Sequence, residues 1–264
     1  MRSKLIIAEG LPCSGKSRTA RYIAERAGGR YFDEGCGCHP ADHEDAAFVS
    51  EAALTEMADT ERRKILAAGE KYRGGLVVPL REFSGELFDK LLRTKIYDVL
   101  DWETESALML EKWERFAQAA AAGKDVYVFN CVLLQNPMCE TMMRFDFPIE
   151  KSREFIGKIA QIIEPLSPAV VYLDNADIAG CIKAALPERG EDWLNAVIGY
   201  HCSGGYGRAN GLAGFEGYIS ALEERRRREL DILECLPMKA LTLRDPQADW
   251  TVAYRAIDEF LKGI

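Results

Sequence analysis

Gly10-Leu11-Pro12-Cys13-Ser14-Gly15-Lys16-Ser17 satisfies every defined position of the pattern G-x-x-x-x-G-K-[ST]. Leu5-Ile6-Ile7-Ala8 before it reads as a short buried strand, and Ser17 to Arg26 after it reads as a helix that stops at Gly28-Gly29. Strand, glycine-bearing turn and helix in this order form an anion cradle. The backbone N–H groups of the turn converge on one point at the positive end of the helix. In such a cradle Lys16 reaches the β- and γ-phosphates of a nucleoside triphosphate, and the Ser17 hydroxyl ligates Mg²⁺. ATP contacts are therefore expected from Gly10, Leu11, Pro12, Cys13, Ser14, Gly15, Lys16, Ser17 and Arg18.

Outward from this stretch, short strands are predicted over Lys4–Ala8, Arg30–Asp33, Asp125–Cys131, Ala169–Asp174 and Lys239–Leu243, with helical stretches between them. That alternation is the signature of a parallel sheet covered on both faces, hence a three-layer α/β fold. Two intervals exceed a simple crossover. The first, 34–123, shows apolar residues at helical spacing over Glu44–Ala68 and Ser106–Ala122, with breaks at Gly74-Gly75 and Pro79. It reads as a helical acceptor-side insertion in a single domain spanning 1–264, because no flexible linker bounds it. The second long interval holds seven glycines between Gly199 and Gly217. Glycine at that density predicts irregular, swinging backbone, so 185–217 reads as a lid. The run Arg225–Arg228 beyond it reads as a solvated face, self-paired with Glu223 and Glu224.

Composition narrows the classes further. A formal net charge of -8 argues against broad nucleic-acid binding, and no apolar run is long enough to cross a bilayer. The chain enters its first strand almost at once, which predicts no signal peptide and a cytoplasmic location. Eight cysteines in a chain long enough to build its own core read as reduced thiols. Cys36-Gly37-Cys38-His39, with His43 nearby, lacks the spacing and the second ligand pair of a zinc site.

A guanine-reading N-K-x-D motif, expected of a switch GTPase, is missing from the sequence. Ile6-Ile7-Ala8-Glu9-Gly10 running into the loop resembles the nucleoside/nucleotide-kinase-like group of phosphate-loop proteins, which includes thymidylate kinase. Val171-Tyr172-Leu173-Asp174 with the helix ending near Arg189, and Leu241-Thr242-Leu243-Arg244-Asp245 with the C-terminal helix, carry the same resemblance. It covers the core, about half the chain, and leaves out 34–123. It implies a five-stranded parallel sheet of order 2-3-1-4-5. It also implies phosphoryl transfer from ATP, with Mg²⁺, to a hydroxyl or phosphate of a small molecule: a nucleoside, nucleotide, metabolite or antibiotic. A small-molecule acceptor is the implied partner, with neither nucleic acid nor membrane, and a homodimer left open.

Residue by residue, the resemblance places Glu9 near the metal, while a structural hydrogen bond is the other reading of that acid. Asp33 or Glu34, closing the second strand, supplies the carboxylate that orients the acceptor, since strand ends line the crevice of such sheets. Arg189 and Arg208 are the candidate lid cations for charge that develops during transfer. The strand that should end in a second acid ends instead in Asn130, a neutral amide. Asp174 is formally a better match. The resemblance sets its strand one further from the loop, where an Asp usually starts the next helix and Asn175 and Asp177 fit the capping role, which leaves Glu9, Asp33 or Glu34 to complete the metal environment. An ATP-binding sensor and a simple hydrolase are the alternatives, the first favoured by Asn130.

Overall fold

The structure, a computed structural model, describes residues 3–264. Among the described residues the strands are β1 (Leu5–Gly10), β2 (Arg30–Phe32), β3 (Ala46–Ser50), β4 (Glu70–Tyr72), β5 (Gly75–Pro79), β6 (Tyr127–Asn130), β7 (Ala169–Asp174) and β8 (Lys239–Arg244). Five of them form one sheet in the order β2-β6-β1-β7-β8, with every neighbouring pair parallel. Counted among themselves, these strands follow the expected order 2-3-1-4-5. β1 and β7 are buried at every position, as central strands of a doubly covered sheet must be.

The chain divides into two compact units: residues up to Asp33 together with Ala117–Ile264, and Glu34–Phe116. In the first, Ile6, Ala8, Val128, Val171 and Leu243 face one side of the sheet. They pack with Ala20 and Ile23 of the helix Lys16–Ala27 and Ile257 of the helix Trp250–Lys262. Side chains alternate along a strand, so Glu9 and Tyr172 look to the opposite side, where Tyr172 donates to Glu229 of the helix Gly214–Cys235 at 2.8 Å. The helix Lys16–Ala27 ends where the sequence predicts, with Gly28 as a left-handed cap at φ 63°.

Four expectations are corrected here. First, β7 pairs directly with β1, as the order 2-3-1-4-5 itself requires, so the placement of the Asp174 strand one further from the phosphate loop fails. Second, the second unit is not purely helical. β3, β5 and β4 form an antiparallel sheet, with β4 and β5 joined by the Arg73-Gly74 turn. The reading over Glu44–Ala68 holds only from Glu51 on, where the helices Glu51–Glu56 and Asp59–Ala68 form. Ala46-Ala47-Phe48-Val49 is short enough to satisfy either period, and pairing with Leu76-Val77-Val78 decides for strand.

Third, the glycine-rich stretch is largely helical, over Glu191–Ser203 and Gly205–Ala209. Its glycines serve close packing. A Cβ at Gly204 would stand 2.3 Å from the Met143 carbonyl oxygen, and one at Gly205 would stand 2.5 Å from that of Arg144. Fourth, the arginine run is not a solvated face. Successive helix positions rotate by about 100°, so four in a row cannot all face water. Arg225 is buried against Glu229 at 2.6 Å, and Arg226 turns to Asp174. Only Arg227 and Arg228 pair with Glu224, each through its Nε at 2.7 Å.

Candidate nucleotide-binding site

The loop from Gly10 to Ser17 depends on two glycines. Gly10 has φ 141°, and a Cβ there would lie 2.6 Å from the Leu173 carbonyl oxygen. Gly15 has φ 96°, and a Cβ there would lie 2.5 Å from the Trp250 ring. Both positions are closed to other residues by backbone conformation and by contact. Cys13 also takes a left-handed conformation, φ 62°, and its carbonyl accepts from Gln247 Nε2 at 2.7 Å. The C-terminal segment therefore braces the loop from outside. Arg18 completes that brace, with its guanidinium 4.9 Å from the centre of the Trp250 ring.

Gly15 caps the helix without a side-chain hydrogen bond, so the amides of its first turn are not taken by a capping oxygen. The Lys16 ammonium is buried and donates to the Leu11 carbonyl at 2.9 Å, folding back across the loop. The Ser14 hydroxyl is buried with no protein partner. Backbone donors, a hydroxyl and an ammonium thus converge on one small volume, the donor set that a polyphosphate satisfies.

Ser17 and Asp33 are brought together by Asn130. Its Nδ2 donates to Ser17 Oγ at 3.0 Å and to Asp33 Oδ1 at 2.6 Å. Sheet register explains this. Phe32 of β2 stands opposite Phe129 of β6, so the next residues, Asp33 and Asn130, emerge side by side at the carboxyl end of the sheet. Arg21, one helical turn beyond Ser17, donates to the other Asp33 oxygen at 3.3 Å. Burial pushes the Asp33 carboxyl up, but hydrogen bonds led by that of Asn130 outweigh it and hold the group below its ordinary value. Asp33 is therefore ionised at neutral pH. Glu34 lies exposed at the start of the second unit.

Glu9 takes the structural reading. It is fully buried, and its Oε1 accepts from the amides of Leu133 and Leu134 at 2.8 and 2.9 Å. Those amides follow Cys131 and Val132, two residues with positive φ, 57° and 89°. Such a conformation is strained for a β-branched valine and persists only where the surroundings impose it. Glu9 anchors that turn, which directly follows Asn130 at the end of β6. Burial, followed by repulsion from Glu229, lifts its carboxyl to about 7.

Asp174 is buried and gripped by Arg226, whose Nε and Nη2 both donate to it, the second at 2.9 Å. Capping of the following helix falls to Asp177, which accepts from the Gly180 amide at 2.7 Å. Arg189 stacks over Trp193, its guanidinium 5.1 Å from the ring centre. Burial raises the Cys13 thiol, and the Arg189 guanidinium is the leading influence that pulls it back down. Arg208 instead donates to the Ser203 carbonyl at the end of the preceding helix.

Sequence reasoning passed over Arg21, Gln247 and Arg226. Arg21 was findable from its four-residue spacing to Ser17. The other two had no local signal, because each acts across a long separation in the chain.

These features define a phosphate-loop α/β fold. No known protein family's pattern matches the chain, and no curated protein matches its sequence. Among solved structures, one similarity is to the YorR protein of Bacillus subtilis in complex with phosphorylated GDP, with 13% identity, 92% of this chain and 86% of that one covered, and a TM-score of 0.40. Another is to thymidylate kinase from Candida albicans, with 12% identity, 97% and 93% covered, and a TM-score of 0.42. Both are distant, and the site stands on this chain's own geometry.

Proposed function

We propose that this protein transfers the terminal phosphoryl group of ATP to a hydroxyl or phosphate of a small molecule. The observation that carries the reading is the Ser17–Asn130–Asp33 chain, which sets a carboxylate beside the loop hydroxyl although the usual acid is replaced by an amide. The donor set suits Mg²⁺: a hydroxyl oxygen, an ionised carboxylate and the buried, unpartnered Oδ1 of Asn130 are hard oxygen ligands. Ser17 and Asp33 are the residues that would hold it, directly or through water, and the ion would supply charge neutralisation for the polyphosphate.

The chain's own groups do the rest. Amides of the loop and the Lys16 ammonium bind and orient the triphosphate, and catalysis is mostly this positioning. Arg189 adds positive charge where the transferred group becomes more anionic. Asn130 keeps Ser17 and Asp33 in register, and Glu9 keeps Asn130 in place.

The test is acceptor-dependent ADP release from Mg·ATP across a panel of nucleosides, nucleotides and hydroxylated metabolites. Release with one acceptor class, lost in Lys16→Ala and in Asp33→Asn, supports transfer. Phosphate release indifferent to every acceptor would mean hydrolysis, and tight ATP binding without turnover would mean a sensor.

A further inference from the structure

The Cys36-Gly37-Cys38 turn lies in the second unit. Both cysteines are exposed, and their sulfur atoms stand 3.5 Å apart. Gly37 between them has φ 63°, a conformation that suits glycine. The turn is held in place. The Gly37 carbonyl accepts from the Arg81 guanidinium, and Glu44 accepts from the Gly35 amide at 2.5 Å.

Zinc needs a fuller ligand set, and among the described residues no group of three His, Cys, Asp or Glu side chains stands ready for a metal. The neighbouring imidazoles are engaged elsewhere. His39 Nδ1 accepts from the Ala41 amide at 3.2 Å, and His43 Nε2 lies 3.2 Å from the Leu108 carbonyl oxygen. Two accessible thiols fixed face to face without a third ligand fit dithiol chemistry instead.

We propose that Cys36 and Cys38 are a reversible modification site, oxidised to an intramolecular disulfide by low-molecular-weight disulfides of the glutathione class. One thiolate attacks a sulfur of the small disulfide, expels one small thiolate and leaves a mixed disulfide on the protein. The second thiolate then displaces the remaining small thiol and closes the ring. The protein loses two electrons and two protons, and the oxidant gains them as two free thiols. The sulfurs contract from 3.5 Å to a bonded separation of about 2 Å. Burial holds the Cys36 thiol above its ordinary value, so exchange is slow at neutral pH and quickens in mild alkali. Cys38 also lines a cavity of about 300 Å³ with His39, Asp42, His43, Glu44 and Lys112. Ring closure therefore reshapes one wall of that cavity.

The experiment equilibrates the full chain in glutathione buffers, quenches with acid, alkylates the remaining thiols and reads the peptides by mass. Each ring closure releases two small thiols. Diluting the pool tenfold at a fixed oxidised-to-reduced ratio therefore raises the disulfide-to-dithiol ratio about tenfold. The exposed lone thiol Cys235 is the internal control: its mixed disulfide is insensitive to dilution. Cys38→Ser should convert Cys36 to the same insensitive behaviour. Glutathione adducts on both wild-type cysteines, or two free thiols at a ratio that modifies Cys235, would overturn the proposal.

Discussion

Glu9 shows how one buried acid sets the pH response of the fold. Between the ordinary value of 4.5 and about 7, the folded protein keeps a proton on Glu9 that the unfolded chain has released. The folded state then binds more protons than the unfolded one, so stability falls as pH rises through that window. Glu9→Gln keeps the oxygen that accepts from Leu133 and Leu134 and removes the titration. It should be more stable than wild type by roughly 3–4 kcal/mol at alkaline pH and nearly equal to it in acid. Thermal unfolding across pH checks this, and an unchanged slope in the variant would contradict it. Asn130→Ala should separate Ser17 from Asp33 and weaken Mg-dependent nucleotide binding while leaving Mg-free binding nearly unaltered, as titration with and without EDTA would show. The loop residues and Lys16 were legible in the sequence because their pattern is contiguous. The role of Asn130 was not, because its two partners, on the first helix and just past the end of β2, meet it only once the sheet forms.

At the scale of elements, the helix Gly214–Cys235 was the hardest to read. It begins inside the glycine-rich stretch that reads as irregular, and charge alone made Arg225–Arg228 look solvated. Arg225 instead meets Glu229 in the interior, and Arg226 crosses to the end of β7. Arg226→Met should leave the Asp174 carboxylate buried without its cation and cost about 2–4 kcal/mol. Denaturant unfolding of Arg226→Met and of the Arg226→Met/Asp174→Asn pair would show it. The double variant should recover part of the loss, and full additivity would count against the contact. The β4–β5 hairpin was missed for a different reason. Gly74 and Gly75 look like breaks between helices, yet Gly74 makes the turn at φ 79°. Gly75 lets β3 approach, since a Cβ there would stand 2.2 Å from the Val49 carbonyl oxygen.

Over the whole molecule, charge is divided unevenly. The second unit, Glu34–Phe116, holds eighteen acidic against eleven basic residues, so it carries seven of the eight net negative charges. Self-repulsion on that scale is screened once the Debye length falls to about 4–5 Å near 0.5 M salt. Unfolding should therefore shift to higher temperature as sodium chloride is raised, and calorimetry that finds no shift or a fall would show that surface ion pairs dominate instead. Strand–helix alternation made the parallel sheet readable, and its order came through the resemblance to the nucleotide-kinase-like group. The second unit was not readable, because nothing in its composition separates it from the core. The most direct measurement is calorimetric titration of the protein with Mg·ATP, alongside Lys16→Ala. Saturable binding should appear in the wild type and weaken by about a hundredfold in the variant, the loss of one charge-assisted contact of roughly 3 kcal/mol. No heat of binding with ATP or GTP in the wild type, or equal affinity in both proteins, would contradict the account.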